Sequence, residues 1–288
     1  MSIFIETLIN RYKSIGVASY DAGGANLLNS LVKKFTQINF LLYVDGPALN
    51  IFDAENSTKI EDESLFLEKV DFLLLGTGTT NFEKKILSKA ISNNILTASF
   101  LDHFVNFKER FLLNSSNVYP DYCFVSDENA LKIAKDELYP YDQIYLCENY
   151  YIESIKDVLI NTDAESDTVL YILENIKEDW GDLLPWEIAF NNFYNNFFIK
   201  KNYYRNIIVR PHPKDDISIY SSLSKYNEII FDTKPSGIDS LTKVNTVVGV
   251  ESYFLYLAKN LGFTVYSSLP NEIRAPRLPK DTYRIIDA

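Results

Sequence analysis

Short apolar runs alternate along the chain with longer amphipathic stretches, a pattern that predicts strand followed by helix, repeated. Ser14 to Ser19 reads as the first strand, Tyr20-Asp-Ala-Gly-Gly-Ala25 as a glycine-rich turn, and the next stretch as a helix to about Lys34. Ile38 to Val44 is the second strand, with Gly46-Pro47 opening a short helix, since proline is favourable in a first turn. Val70 to Leu75 runs into Gly76-Thr-Gly-Thr-Thr80 and an amphipathic helix to about Ser92. Ile95 to Leu101 ends at Asp102-His103; Tyr122 to Val125 leads to Ser126 or Asp127 as a helix cap; Gln143 to Cys147 is the sixth strand.

A second series begins after the polar stretch Asn161-Thr-Asp-Ala-Glu-Ser-Asp167, which has little apolar periodicity. Strands are expected at 168–173, 207–209, 228–231, 246–249 and 264–267, and helices at about 185–200, 217–226 and 252–260. Trp186, Phe190, Phe193, Tyr194 and Phe197 form an aromatic stripe at helical spacing, which predicts core packing. Alternating strands and helices imply parallel sheets with right-handed crossovers. The expected fold is therefore α/β with two facing Rossmann-like domains, 1–160 and 161–288, and a ligand in the cleft between them.

Composition narrows the class. Hydrophobic residues make up 47% of the 288 positions and aromatics 14%, as in a globular chain with a sizeable core. A formal charge of −11 argues against a nucleic-acid partner, and it limits any membrane association to a peripheral one. No apolar run is long enough to span a bilayer and no leader pattern opens the chain, so a cytoplasmic location is expected. Cys123 and Cys147 show no metal-ligand spacing and are read as core residues.

The chemistry concentrates at predicted strand ends. In Asn206-Ile-Ile-Val-Arg-Pro-His-Pro-Lys-Asp-Asp216 a β-branched run meets Arg210, His212 and Lys214, with two prolines stiffening the corner. Such a cluster beyond a strand end suits a phosphate. Asp215-Asp216 reads as the ordinary acidic start of a helix. Thr246-Val-Val-Gly-Val-Glu-Ser-Tyr253 is the second such corner: Ser252 would cap a helix whose free N–H groups favour an anion, and Glu251 would lie beside a ribose or sugar hydroxyl.

In the amino-terminal half, Asp21 is a candidate base at the tip of the first strand, and Gly23 and Gly24 let the backbone approach a ligand. Asp102-His103 is the competing base, with Arg110 as a candidate acceptor-anion ligand. Gly78 and Thr79, in a loop that matches neither a P-loop nor a dinucleotide fingerprint, are secondary lining residues, as is Asp45-Gly46. No strand-terminal D-x-D indicates a metal, and no cofactor is called for.

Val209-Arg-Pro-His-Pro213 and Val248-Gly-Val-Glu-Ser-Tyr-Phe-Leu-Tyr-Leu-Ala258 together resemble the carboxy-terminal half of GT-B-type bacterial glycosyltransferases. The likeness is to those that build capsules and lipopolysaccharide, including sialyltransferase-like and Kdo-transferase-like enzymes, and to the glycerophosphotransferases of teichoic acid synthesis. It implies that His212 and Ser252 contact the donor's phosphate or nucleotide, so that the carboxy-terminal domain takes the donor and the amino-terminal domain the acceptor. It also implies an acidic general base followed by glycine, for which this chain has Asp21-Ala22-Gly23. The expected activity is metal-independent, inverting transfer of a sugar from a nucleotide donor, with CMP-linked sugars among the candidates, to a surface polysaccharide or glycolipid acceptor. A sugar-nucleotide 2-epimerase or hydrolase, a transferase using a phosphoribosyl diphosphate-type donor, and a non-catalytic ligand-binding subunit of polysaccharide assembly remain as alternatives.

Overall fold

Strands β1 (Ile15–Ser19) and β4 (Phe72–Leu75) are buried at every position, as befits central strands covered on both faces. Beside them run β2 (Phe40–Val44), β3 (Ser57–Lys59), β5 (Leu96–Leu101), β8 (Tyr122–Val125) and β9 (Ile144–Leu146), in the order β3-β2-β1-β4-β5-β8-β9. All pairings in this sheet are parallel. A small antiparallel hairpin joins β6 (Leu112–Leu113) to β7 (Ser116–Asn117). The computed structural model describes residues 3–78, 80–159, 165–174, 184–212, 215–234 and 236–286. Its contacts divide the chain into two units, Met1–Ile155 and Lys156–Ala288.

Helices of the first unit are α1 (Ile3–Arg11), α2 (Ala22–Lys34), α3 (Glu63–Lys69), α4 (Phe82–Ser92), α5 (Glu128–Glu137) and α6 (Tyr150–Leu159). One face of α2 buries Ala25, Leu28, Leu31 and Val32 with Ile15, Val17, Phe72 and Leu74 in one core. Each fully buried leucine there contributes roughly 1.5–3 kcal/mol. Asp127 caps α5 by accepting from Asn129 N at 2.7 Å and Ala130 N at 3.2 Å. Cys123 and Cys147 are free and buried, and burial pushes the Cys147 thiol up to about 12, so neither supplies a thiolate at neutral pH.

The second unit has its own parallel sheet: β10 (Glu165–Ile172), β11 (Asn206–Arg210), β12 (Ile229–Phe231), β13 (Val244–Gly249), β14 (Thr264–Ser267) and β15 (Arg284–Ile285), in the order β12-β11-β10-β13-β14-β15. Helix α7 (Trp186–Phe193) continues into a π-helical turn, Tyr194–Phe198. The predicted aromatic stripe is core: Phe190, Phe193 and Phe197 are buried, and Trp186 and Tyr194 pack against them. Trp186 meets the Tyr220 ring edge-on at 5.1 Å, and the Tyr220 hydroxyl donates to Asp215. The helix expected at 217–226 is a 3-10 helix, Ile217–Lys225, rich in serine and β-branched isoleucine, which are indifferent α-formers. Asp216 is its cap, accepting from Ser218 N at 2.9 Å. Helices α8 (Gly237–Leu241) and α9 (Tyr253–Asn260) precede and follow β13.

Both sheets reverse their winding beside the central strand, between β1 and β4 in one and between β10 and β13 in the other. Loops leaving the carboxyl ends there diverge and open a crevice where open α/β sheets bind ligands. In the first unit those loops start at Tyr20 and Gly76; in the second they start at Leu173 and Val250. Among the described residues no helix is long and apolar enough to cross a membrane.

Candidate active site

At the first reversal point the loop after β1, the loop after β4 and the first turn of α4 converge. Asp21 occupies the cap position of α2, yet its side chain makes no capping bond to that helix. A methyl group at Gly78 would fall 2.6 Å from Asp21 Oδ2 and 3.1 Å from Glu83 Oε2, so these two carboxylates flank the glycine. Glu83 is 4% exposed; its Oε1 accepts from Tyr20 N at 2.8 Å, and its buried Oε2 has no hydrogen-bond partner among the described residues. Burial pushes the Glu83 carboxyl above its ordinary range and the Asp21 charge adds to that, while backbone N–H bonds pull it back.

Asp102, at the end of β5, reaches the same place. A methyl group at Gly23 would lie 1.9 Å from Asp102 Oδ2, so only glycine allows the carboxylate to rest on the first turn of α2. Gly24 lies against the Gly76 backbone, its added methyl falling 3.0 Å from Gly76 Cα. Arg110 Nη1 donates to Asp102 Oδ1 at 3.0 Å and to the Thr77 carbonyl at 2.5 Å. Burial raises the Asp102 pKa, an effect that Arg110 opposes and the charge of Asp21 reinforces. His103 follows on the chain, with its ring edge-on to Phe104 at 6.4 Å. The structure thus brings together Asp21, Gly23, Gly24, Gly78, Asp102 and Arg110 from the residues singled out in the sequence, and adds Glu83 and Thr77. Thr79 lies outside the described residues.

In the second unit, Arg210 and His212 line a pocket of about 250 Å³ with Pro211, Ile217, Asp232, Thr233 and Lys234. Arg210 Nη1 bonds Asp232 Oδ2 at 2.7 Å and the Lys234 carbonyl at 3.1 Å. Burial pushes Asp232 up, but hydrogen bonds from Ser240 and Arg210 outweigh it and hold the carboxyl below its ordinary value. Lys214 lies outside the described residues.

At the second reversal point, Ser252 caps α9, its Oγ accepting from Phe254 N at 3.2 Å. The N–H groups of Val250, Glu251 and Ser252 all point at one atom, Glu174 Oε1, at 2.8, 2.6 and 2.7 Å. A carboxylate of the chain itself therefore fills the nest in which the sequence places a donor phosphate. Burial pushes Glu174 up to about 7 although the three N–H bonds oppose the shift. The Glu251 carboxylate is held by both Arg274 (2.7 and 2.8 Å) and Arg277 (2.6 and 2.9 Å); burial pushes it up, and the two guanidinium groups bring it below its ordinary value. Glu83, Glu174, Asp232, Arg274 and Arg277 escaped the sequence reading because each is a single charged residue in a loop or first helical turn, where solvated charge is the rule. The one available signal is that Glu174 directly follows a fully apolar strand end, Leu170-Tyr-Ile-Leu173.

No family model matches the chain, and no curated protein matches its sequence. Solved structures do share its architecture. S. aureus MnaA in a co-structure with UDP superposes with a TM-score of 0.64 at 14% identity, over 88% of this chain and 79% of that one. The UDP-GlcNAc 2-epimerase of Methanocaldococcus jannaschii, in complex with UDP-GlcNAc and UDP, gives 0.58 at 12% identity, covering 88% and 83%. The wall teichoic acid polymerase TagF, soaked with CDPG, gives 0.52 at 14% identity, covering 88% and 69%. At these identities the likeness is one of fold: like GT-B proteins, the chain has two Rossmann-like units, each built on a parallel sheet.

Proposed function

We propose that this chain acts on a nucleotide sugar, breaking the bond between the anomeric carbon and the donor phosphate and passing the sugar to the hydroxyl of a glycan or glycolipid acceptor. The observation that carries the reading is the group of Asp21, Glu83 and Asp102 with Arg110 at the reversal point of the first sheet, on a fold shared with sugar-nucleotide proteins. Asp21 is the general base that takes the acceptor proton, and a positioned base of this kind contributes about 10² to 10⁴ in rate. Asp102-His103 is the competing base, with Arg110 orienting Asp102. Unit 2 takes the nucleotide and its phosphates through the Arg210 corner with His212 and Lys214, and through the hydroxyl of Ser252, the N–H groups beside it being occupied by Glu174, and unit 1 takes the acceptor. The transfer is written without a metal or cofactor, for a cytoplasmic protein at most peripherally attached to a membrane.

A second reading, hydrolysis or 2-epimerisation of the nucleotide sugar, is favoured by the fold shared with proteins named as UDP-GlcNAc 2-epimerases. Nucleotide release from UDP-GlcNAc and from CMP-linked and CDP-linked donors, with and without acceptor glycans, separates the two. Acceptor-dependent release marks the transferase, and acceptor-independent release the epimerase or hydrolase. A ligand at 100 times its dissociation constant stabilises the fold by about 2.7 kcal/mol. If UDP, CDP, CMP and GDP at millimolar concentration all leave the melting temperature unchanged and no donor is turned over, the nucleotide-sugar reading falls.

A further inference from the structure

We propose that Glu83 is a positioning residue of this site, holding one proton in a carboxyl pair with Asp21 across Gly78. The inference rests on the function proposed above and assigns the protonation state its base requires. Two geometric facts carry it. Glu83 Oε1 is pinned by Tyr20 N, one residue from Asp21, so the carboxyl group cannot swing away. Among the described residues its buried Oε2 has no hydrogen-bond partner, and it faces the space beside Gly78 that Asp21 Oδ2 also borders. A buried carboxyl oxygen without a donor suits a protonated acid, because an ionised oxygen would leave its charge unsolvated.

The charged groups around the pair fit one proton. Asp102 acts on Asp21 from the end of β5 and is paired with Arg110 at 3.0 Å. Lys84, next to Glu83 on α4, is buried and its pKa is lowered by desolvation, which weakens it as a counter-charge. Burial of the Glu83 carboxyl, reinforced by the Asp21 charge, therefore places the proton on Glu83. The transfer then balances. The acceptor hydroxyl gives its proton to Asp21 Oδ2 as its oxygen bonds the anomeric carbon, and the carbon–phosphate oxygen bond breaks with its electron pair leaving on the nucleotide phosphate. The pair goes from one proton to two and returns one to solvent.

Glu83→Gln imitates the protonated acid: it keeps an acceptor for Tyr20 N and carries no charge. With turnover of the nucleotide sugar read against pH, the variant should lose the alkaline limb, along which the parent falls about tenfold per pH unit as Glu83 ionises. Glu83→Ala, which cannot hold the position, should lose at least about tenfold at every pH. Superimposable pH profiles for parent and Glu83→Gln, or a folded Glu83→Gln inactive at neutral pH, overturn the proposal. The proton is also read without any substrate, by carbon-13 NMR of glutamate carboxyl groups in the unliganded protein. One resonance should titrate above the ordinary glutamates and vanish in Glu83→Gln, the Glu174 resonance being assigned separately with Glu174→Gln. If no such resonance is lost, the pair does not exist, whatever the enzyme acts on; if it is lost while no donor is turned over, the pair stands and the nucleotide-sugar reading falls alone.

Discussion

Replacing Glu174 with glutamine tests whether the filled nest at the head of α9 holds a charge or a neutral acid. Both side chains offer an oxygen to the N–H groups of Val250, Glu251 and Ser252, so the variant preserves the geometry and removes the titration. Burial moves Glu174 from an ordinary 4.5 to about 7 in the folded protein. The folded state thus binds this proton more tightly than the unfolded chain. Its stabilising contribution is complete below about pH 4.5 and is lost as pH rises through about 7. At about 1.4 kcal/mol per tenfold change in proton affinity, the loss between pH 5 and pH 8 amounts to about 2.5 kcal/mol. Urea unfolding of parent and variant at the two pH values isolates this group, since every other titration is common to both proteins. Relative to the parent, Glu174→Gln should gain about 2–3 kcal/mol on going from pH 5 to pH 8. A stability difference that stays constant to within about 0.5 kcal/mol across that range would show that the N–H groups outweigh burial and that the carboxylate is ionised throughout.

The base assignment is tested by Asp21→Asn, which keeps size and removes basicity: turnover should fall at least about 100-fold with donor affinity nearly unchanged, while His103→Ala chiefly raises the apparent Michaelis constant for acceptor. Full turnover in Asp21→Asn, with loss in Asp102→Asn or His103→Ala, would exchange the roles. His212→Ala should weaken nucleotide-donor binding by roughly 10- to 100-fold, the worth of one hydrogen bond to a charged group, in a calorimetric titration; an unchanged dissociation constant in the folded variant removes His212 from the site. Asp232→Ala leaves the Arg210 guanidinium without its carboxylate in a nearly buried position, and a broken buried pair costs about 3–5 kcal/mol. The melting temperature should drop by roughly 6 °C or more, and a shift under about 2 °C would mean that solvent replaces the pair without penalty.

The parallel architecture is legible in the sequence because its central strands are unbroken apolar runs. Phe72-Leu-Leu-Leu75 and Ile207-Ile-Val209 admit little else once glycine or proline follows them. Edge elements hide for the opposite reason. Strand β3 is Ser57-Thr-Lys59, two edge residues of which are exposed, and its place is fixed by pairing with β2 alone. Helix α1 and the five-residue α8 were likewise not foreseen, being short segments whose burial depends on tertiary partners. At the site, strand-end residues such as Asp21, Asp102 and Arg210 stand out because apolar runs deliver them. What the sequence cannot display is which charge meets which: Arg210 with Asp232, Arg110 with Asp102 and Glu251 with two arginines join residues 22, 8 and 23 to 26 positions apart. Such pairing follows from crossovers and loop paths, which periodicity does not encode.

The placement of Trp186 makes the second unit report optically on its own corner loops. Its indole borders two hydrophobic clusters, one holding Tyr220 and the other holding Val250, whose N–H bonds Glu174. Through Tyr220 it is also one contact from Asp215, just beyond the Arg210-Pro211-His212 corner. The chain has two tryptophans, so Trp180→Phe leaves a single emitter. Its quantum yield and emission maximum should then follow both the seating of a phosphate at the corner and the protonation of Glu174, which provides a label-free titration signal for ligands that turn over too slowly to be assayed.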